Sequence, residues 1–187
     1  VDTNSHTPYG CSKLAAEQYC RDYSTTYGLR TIINRCSTLY GPNQLGVVDQ
    51  GWISHFINSA VLGLPITVYG DGKQTRDPIY MYDLEELVYR QLRSMKTNGA
   101  VYNVGGGINN VVSVNEALKI ISEVSRRDLQ ISYGDWRQND QKAYCSDINP
   151  LANDFSFLPR FSIREGIDLC YQWALGNMQK IKELYEK

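Results

Sequence analysis

The segment Thr7-Pro8-Tyr9-Gly10-Cys11-Ser12-Lys13-Leu14-Ala15-Ala16-Glu17 decides how this chain is read. Thr7 has the short hydroxyl side chain of a helix N-cap. Pro8 suits the first helical position, where its missing N–H would have no intrahelical partner. The stretch from Tyr9 to about Tyr27 then predicts a helix, with Leu14, Ala15, Gln18, Tyr19 and Tyr23 sharing faces and Gly28 placed to stop it. Leu29 to Asn34 follows as a short apolar strand. Helix-then-strand is half of a crossover unit.

The alternation continues downstream. Gln50 to Leu62 predicts a helix ending at Gly63, and Pro65 to Tyr69 a strand closed by the turn Gly70-Asp71-Gly72. Asp83 to Met95 carries Leu84, Leu87, Val88, Gln91 and Leu92 at helical spacing. Ala100 to Val104 reads as a strand running into Gly105-Gly106-Gly107. Ser113 with Glu116, and Ser162 with Glu165, have capping-box spacing. The first box opens Val114 to Ser125, and the second a long helix that could reach the C-terminus. Gln130 to Tyr133 is a further strand between them. About four strands alternating with helices argue for an α/β chain: the second half of a doubly wound domain with a smaller lobe attached.

Composition narrows the function. The chain has 187 residues and a formal net charge of -1, which gives no bulk attraction to nucleic acid or to an anionic membrane. An anionic ligand must be held by a few placed cations. Five scattered cysteines (Cys11, Cys20, Cys36, Cys145, Cys170), with no Cys-x-x-Cys, favour reduced thiols in a cytoplasmic protein. His6 and His55 have no second ligand at helical spacing, so no metal site is expected. No apolar run approaches the ~20 residues of a membrane span.

Tyr9 and Lys13 stand four apart, on one helical face. A free phenol, with a pKa of about 10, is a poor base at neutral pH, and a neighbouring ammonium favours its phenolate. The pair therefore suits general acid/base work on a hydroxyl or carbonyl. Spacing alone favours an exposed Tyr–Lys pair on the first turn of an amphipathic helix, and Tyr69/Lys73 has the same spacing across a turn.

Five segments in order tip the balance. The run from Thr7 to Glu17 resembles the catalytic helix of extended short-chain dehydrogenases, the NAD-dependent nucleotide-sugar epimerase/dehydratase family. Arg35-Cys36-Ser37-Thr38-Leu39-Tyr40-Gly41-Pro42, Val68-Tyr69-Gly70-Asp71-Gly72-Lys73-Gln74-Thr75-Arg76-Asp77, Tyr102-Asn103-Val104-Gly105-Gly106 and Ser113-Val114-Asn115-Glu116 resemble its later segments. Asp49-Gln50-Gly51-Trp52 and Arg137-Gln138-Asn139-Asp140-Gln141 are similar to the branch of CDP-paratose 2-epimerases, also called CDP-tyvelose epimerases.

The resemblance implies the C-terminal half of a doubly wound Rossmann-type domain plus a smaller mixed α/β substrate-binding lobe. Residues 1–48 would end the NAD-binding domain. Residues 49–187 would form mainly the lobe, interleaved with Rossmann elements near 65–105. It implies Tyr9 as acid/base with Lys13, and Tyr9, Lys13, Cys36 and Ser37 against NAD. Thr38, Gln50, Gly51, Tyr69, Arg76, Arg137 and Asp140 would meet a nucleotide-diphosphate sugar, a CDP-sugar by the branch. Arg76 and Arg137 would clamp the diphosphate, since their planar forks match phosphate oxygens. NAD would oxidise the sugar C2 hydroxyl and reduce it from the opposite face. A homodimer or higher oligomer is implied, with the face carrying Gln18 and Asp22 as a candidate interface.

Departures from the pattern set further expectations. No Gly-x-x-Gly-x-x-Gly fingerprint is present, and Val47-Val48 stand where a phosphate loop spanning Gly41 to Gly46 needs Lys and Ser/Thr. The fingerprint and a catalytic Ser/Thr would lie upstream of Tyr9, so about half of the enzyme is expected outside this chain and the chain alone is expected inactive. Cys36-Ser37-Thr38 replaces the family's usual Tyr-Phe-Asn, and Lys142 stands at a usual Arg. A 4-epimerase, a 4,6-dehydratase and a non-catalytic NAD-binding relative remain open alternatives.

Overall fold

The structure, a computed structural model, describes residues 7–94, 99–138 and 140–186. His6, the expected helix end at Met95, and Asn139 lie outside them.

Helix α1 spans Pro8–Tyr27. The Thr7 hydroxyl accepts from the Gly10 N–H at 3.1 Å, and Gly28 ends the helix at φ 66°, a left-handed conformation open to glycine without steric cost. Strand β1 covers Ile32–Cys36, later than the expected Leu29 to Asn34. Its extent is set by pairing: Ile32 to Cys36 run parallel to strand β6, Ala100–Val104, in register from Ile32 opposite Ala100 to Cys36 opposite Val104. Residues 29–31 are consumed in leaving the left-handed cap.

Between these strands lie β2 (Leu39–Tyr40), α2 (Trp52–Leu62), β3 (Ile66–Tyr69), β4 (Thr75–Arg76), β5 (Ile79–Tyr80) and α3 (Met81–Arg93). After β6 come a 3-10 turn at Ile108–Asn110, β7 (Val112–Ser113), α4 (Val114–Ser125), β8 (Ile131–Gly134), α5 (Asn149–Phe155), α6 (Ile163–Gly176) and α7 (Met178–Tyr185). Both capping boxes form, at Ser113/Glu116 and Ser162/Glu165. The expected single C-terminal helix is two. Asn177 breaks it at φ -121°, ψ 23°, and its side-chain amide donates to Trp173 O at 2.8 Å, offering the backbone a local alternative to helix. The described strands number eight, because four two-residue strands are too short to show a period.

Pairing separates the strands into β1–β6, β2–β5 and β3–β8, all parallel, and β4–β7, antiparallel. One apolar cluster gathers α2, β3, α4, α6 and α7 around Ile57, Ile66, Leu118, Ile121, Ile167 and Ile181. A second joins β5, α3, β6 and α5 through Ile79, Leu87, Val104, Leu151 and Phe157. Asp83, in the first turn of α3, is fully buried and accepts from the N–H groups of Arg160 (3.0 Å) and Phe161 (3.1 Å), tying the segment ahead of α6 to α3. Among the described residues no helix is long and apolar enough to cross a membrane.

Candidate active site

The carboxyl ends of the parallel strands β1 and β6 define one edge of the molecule, the place where open α/β sheets bind ligands. Cys36, Ser37 and Thr38 leave β1 there, and Gly105-Gly106-Gly107 leaves β6. Asp77, fully buried, joins the two turns. Its Oδ1 accepts from Ser37 Oγ at 2.7 Å, while Oδ2 accepts from the N–H of Gly107 (3.2 Å) and of Ser146 (2.9 Å). A Cβ on Gly105 would stand 2.1 Å from Asp77 Oδ2, so only glycine allows this approach. In the sequence Asp77 stands inside a motif with no role of its own to be read. The signal available was a carboxylate between Arg76 and Pro78, and only the fold shows its partners. Ser37 spends its proton on Asp77 and so shapes the turn. The Cys36 thiol is pushed up by desolvation, with Sγ 3.7 Å from Asn34 O, so it stays protonated at neutral pH.

Tyr9 and Lys13 occupy the first turns of α1. Lys13 Nζ lies 5.3 Å from the centroid of the Tyr9 ring, and Tyr9 is 71% exposed. By contrast Tyr69 and Lys73 flank a turn, with the Lys73 N–H bound to Asp71 Oδ1 at 2.9 Å and its side chain in solvent. Glu17, also missed from sequence, ties α1 to β1. Its buried carboxylate takes both forks of Arg35, Nε at 2.7 Å and Nη2 at 2.7 Å, and accepts from Arg21 Nη2 at 2.9 Å. The Arg35 bonds first, with Arg21 assisting against desolvation, hold the Glu17 carboxyl below its ordinary value of 4.5, and Arg35 is raised in return. The expected common face of Leu14, Ala15, Gln18, Tyr19 and Tyr23 is exposed, because no described element covers it.

A cleft of about 220 Å³ opens next to this edge. Thr38, Gln50, Gly51, Tyr69, Arg76, Arg137 and Asp140 all line it, although they come from five separate segments. Arg76 is held by Gln141 O and Asp140 Oδ1, both at 2.7 Å. The Arg137 guanidinium lies 4.5 Å over the Tyr69 ring, donates to Val48 O at 2.6 Å and pairs with Asp49 at 3.3 Å. Both arginines are thus aimed and charge-compensated, each by one aspartate. Trp52, Phe56 and Val68 supply apolar wall, and Trp136 packs over Gly70. Cys36, Ser37, Tyr9 and Lys13 are outside the cleft lining. Among the described residues no group of three or more His, Cys, Asp or Glu could hold a metal ion.

The model of the NAD dependent epimerase/dehydratase family matches residues 1–105. The chain belongs to that family. It is 35% identical over 175 residues to CDP-paratose 2-epimerase of Salmonella typhi, covering 90% of this chain and 52% of the relative. It is 31% identical over 180 residues to dTDP-glucose 4,6-dehydratase of Xanthomonas campestris pv. campestris, covering 92% and 50%. A solved structure of UDP-glucuronic acid 4-epimerase from Bacillus cereus, in complex with UDP-glucuronic acid and NAD, superposes with a TM-score of 0.82 at 27% identity, over 96% of this chain and 54% of that one. The chain spans about half the length of the curated relatives it matches. The Rossmann-type α/β architecture expected from sequence is the architecture found, and the family's cofactor is NAD. The residues present fit one end of that cofactor. Tyr9 and Lys13 offer exposed polar groups of the kind that bond ribose hydroxyls, whereas the glycine cradle for its diphosphate is absent from this sequence.

Proposed function

We propose that this chain carries the acid/base pair and the nucleotide-sugar cleft of an NAD-dependent epimerase that inverts C2 of a CDP-linked deoxyhexose. The observation that carries the reading is the meeting of Tyr69, Arg76, Arg137, Asp140, Gln50, Gly51 and Thr38 in one cleft beside the carboxyl ends of β1 and β6. Bound NAD supplies a reversible hydride acceptor at the sugar carbon. Tyr9 takes the proton from the C2 hydroxyl oxygen and returns it after inversion, so no net redox change results. Lys13 holds the nicotinamide ribose and keeps the Tyr9 hydroxyl aimed. Arg76 and Arg137 release Asp140 and Asp49 for phosphate oxygens, a like-for-like exchange of anions on a rigid fork. Gln50 and Gly51 shape the loop against the sugar. Helix α1, exposed along nearly its whole length, is available to a second copy.

The C2 centre and the CDP group are supported by the Asp49-Gln50-Gly51-Trp52 segment and by likeness to the Salmonella epimerase. A second reading, 4,6-dehydratase or 4-epimerase, has support from the Xanthomonas and Bacillus relatives. Isotope placement separates them. In the NAD-loaded full-length protein, a CDP-sugar deuterated at C2 is expected to give the C2 epimer with its deuterium retained, and no label enters from D₂O. Loss of water with solvent deuterium at C5 marks a dehydratase, and inversion at C4 a 4-epimerase. Either outcome overturns the C2 assignment.

A further inference from the structure

His55 lines the cleft from α2 and is 7% exposed. Its Nδ1 lies 2.7 Å from the Tyr185 hydroxyl near the end of α7, and the two rings stack at 4° with centroids 5.8 Å apart. The same hydroxyl donates to Gly46 O at 2.9 Å. A phenol has one proton. With that proton on Gly46 O, the Tyr185 oxygen accepts from Nδ1–H, and Nε2 of the neutral imidazole is left as an acceptor. Burial first, and the charge of Arg137 second, push the His55 pKa down, which favours this neutral form. His55 lines the cleft, and no described residue is seen to bond Nε2, so Nε2 is the ring nitrogen left to meet a ligand there.

The wall beside it is aromatic. Trp52 and Phe56 meet edge-to-face at 5.7 Å, Phe56 lies 5.8 Å from His55, and Tyr69 lines the same cleft. Flat apolar walls suit a planar base better than a sugar. A pyrimidine base shows either an exocyclic amine, a donor, or a carbonyl, an acceptor, at its C4 position. An acceptor fixed in the wall pairs with the first and repels the second.

We propose that His55 reads the base: its Nε2 accepts from the exocyclic amine of a cytosine nucleotide, with Tyr185 and Gly46 fixing the tautomer. This rests on the cleft being the nucleotide-sugar site. The loop that Tyr185 pins is tight, since a Cβ on Gly46 would lie 2.5 Å from Gly51 O and from the His55 N atom. The reader is thus locked to the loop carrying Gln50.

The test is equilibrium binding of CDP and of UDP to NAD-loaded full-length protein, as wild type, His55→Leu and Tyr185→Phe. Wild type is expected to prefer CDP. His55→Leu is expected to weaken CDP about tenfold, the worth of one buried hydrogen bond, while UDP holds or improves. Tyr185→Phe frees the tautomer and is expected to narrow the CDP-to-UDP ratio. An unchanged ratio in a folded His55→Leu protein overturns the proposal. If that variant fails to fold, an unchanged ratio in Tyr185→Phe does so. Wild type that binds both nucleotides alike overturns only the role of His55, whereas wild type that binds neither overturns the cleft reading.

Discussion

Helices α1 and α2 are both rich in large apolar side chains, yet they live in different surroundings. In α2, every residue from Ile53 to Val61 is buried, packed against α4, α6 and α7. In α1, only Glu17 and Ser24 are buried along twenty residues. The lobe around α2 supplies its own core. The helix bearing Tyr9 and Lys13 is tied to β1 through the buried Glu17 carboxylate and its arginine partners, and leaves its tyrosines uncovered. The proposed binding cleft and the proposed acid/base pair are therefore held by unequal means: the cleft by packing, the helix of Tyr9 and Lys13 by the charge on Glu17.

Substitutions can break that contrast. Ile57→Ala removes a 1%-exposed side chain from the lobe core and is expected to cost about 2–5 kcal/mol, read as a large drop in melting temperature. A loss no larger than that of a surface change contradicts the packed lobe. Acid is expected to act next, and at the other helix. The Glu17 carboxyl sits below 4.5 in the folded chain, so its contribution is fully present above that value and is lost as pH falls through the lowered one. Hydrogen exchange followed down the pH scale should show α1 opening before α2, and Glu17→Gln should leave α1 loosened at every pH, so that its opening no longer depends on acid. Simultaneous opening of both helices refutes the separate fastening of α1. Smallest of all is Tyr19→Ala, at 69% exposure, which should move the stability of the 187-residue chain by no more than about 0.5 kcal/mol. A loss of several kcal/mol means α1 is packed after all.

The sequence disclosed what is local. Thr7, Pro8 and Gly28 bounded α1, and the two Ser–Glu boxes opened α4 and α6, because caps and turns act over three or four residues. Paired segments were harder: β1 is bounded by β6, some seventy positions on, and nothing in residues 29–36 announces that register. Asn177 sits in an otherwise periodic run, so its break was invisible to a pattern of apolar spacing. Resemblance singled out Tyr69, Arg76, Arg137 and Asp140, and the fold brings them to one cleft. It could not supply the groups that act by position alone. Asp77 bridges two turns through partners up to 69 residues away, and His55 meets Tyr185 across 130. Such contacts exist only once the chain is folded.

The central claim is that Tyr9 moves the sugar proton while the cleft does the binding. The direct measurement is Tyr9→Phe in the NAD-loaded full-length protein, with turnover and CDP-sugar affinity determined side by side. Turnover is expected to fall about a hundredfold or more, with affinity unchanged. Turnover equal to wild type, or a loss of affinity that accounts for the whole drop, contradicts the account.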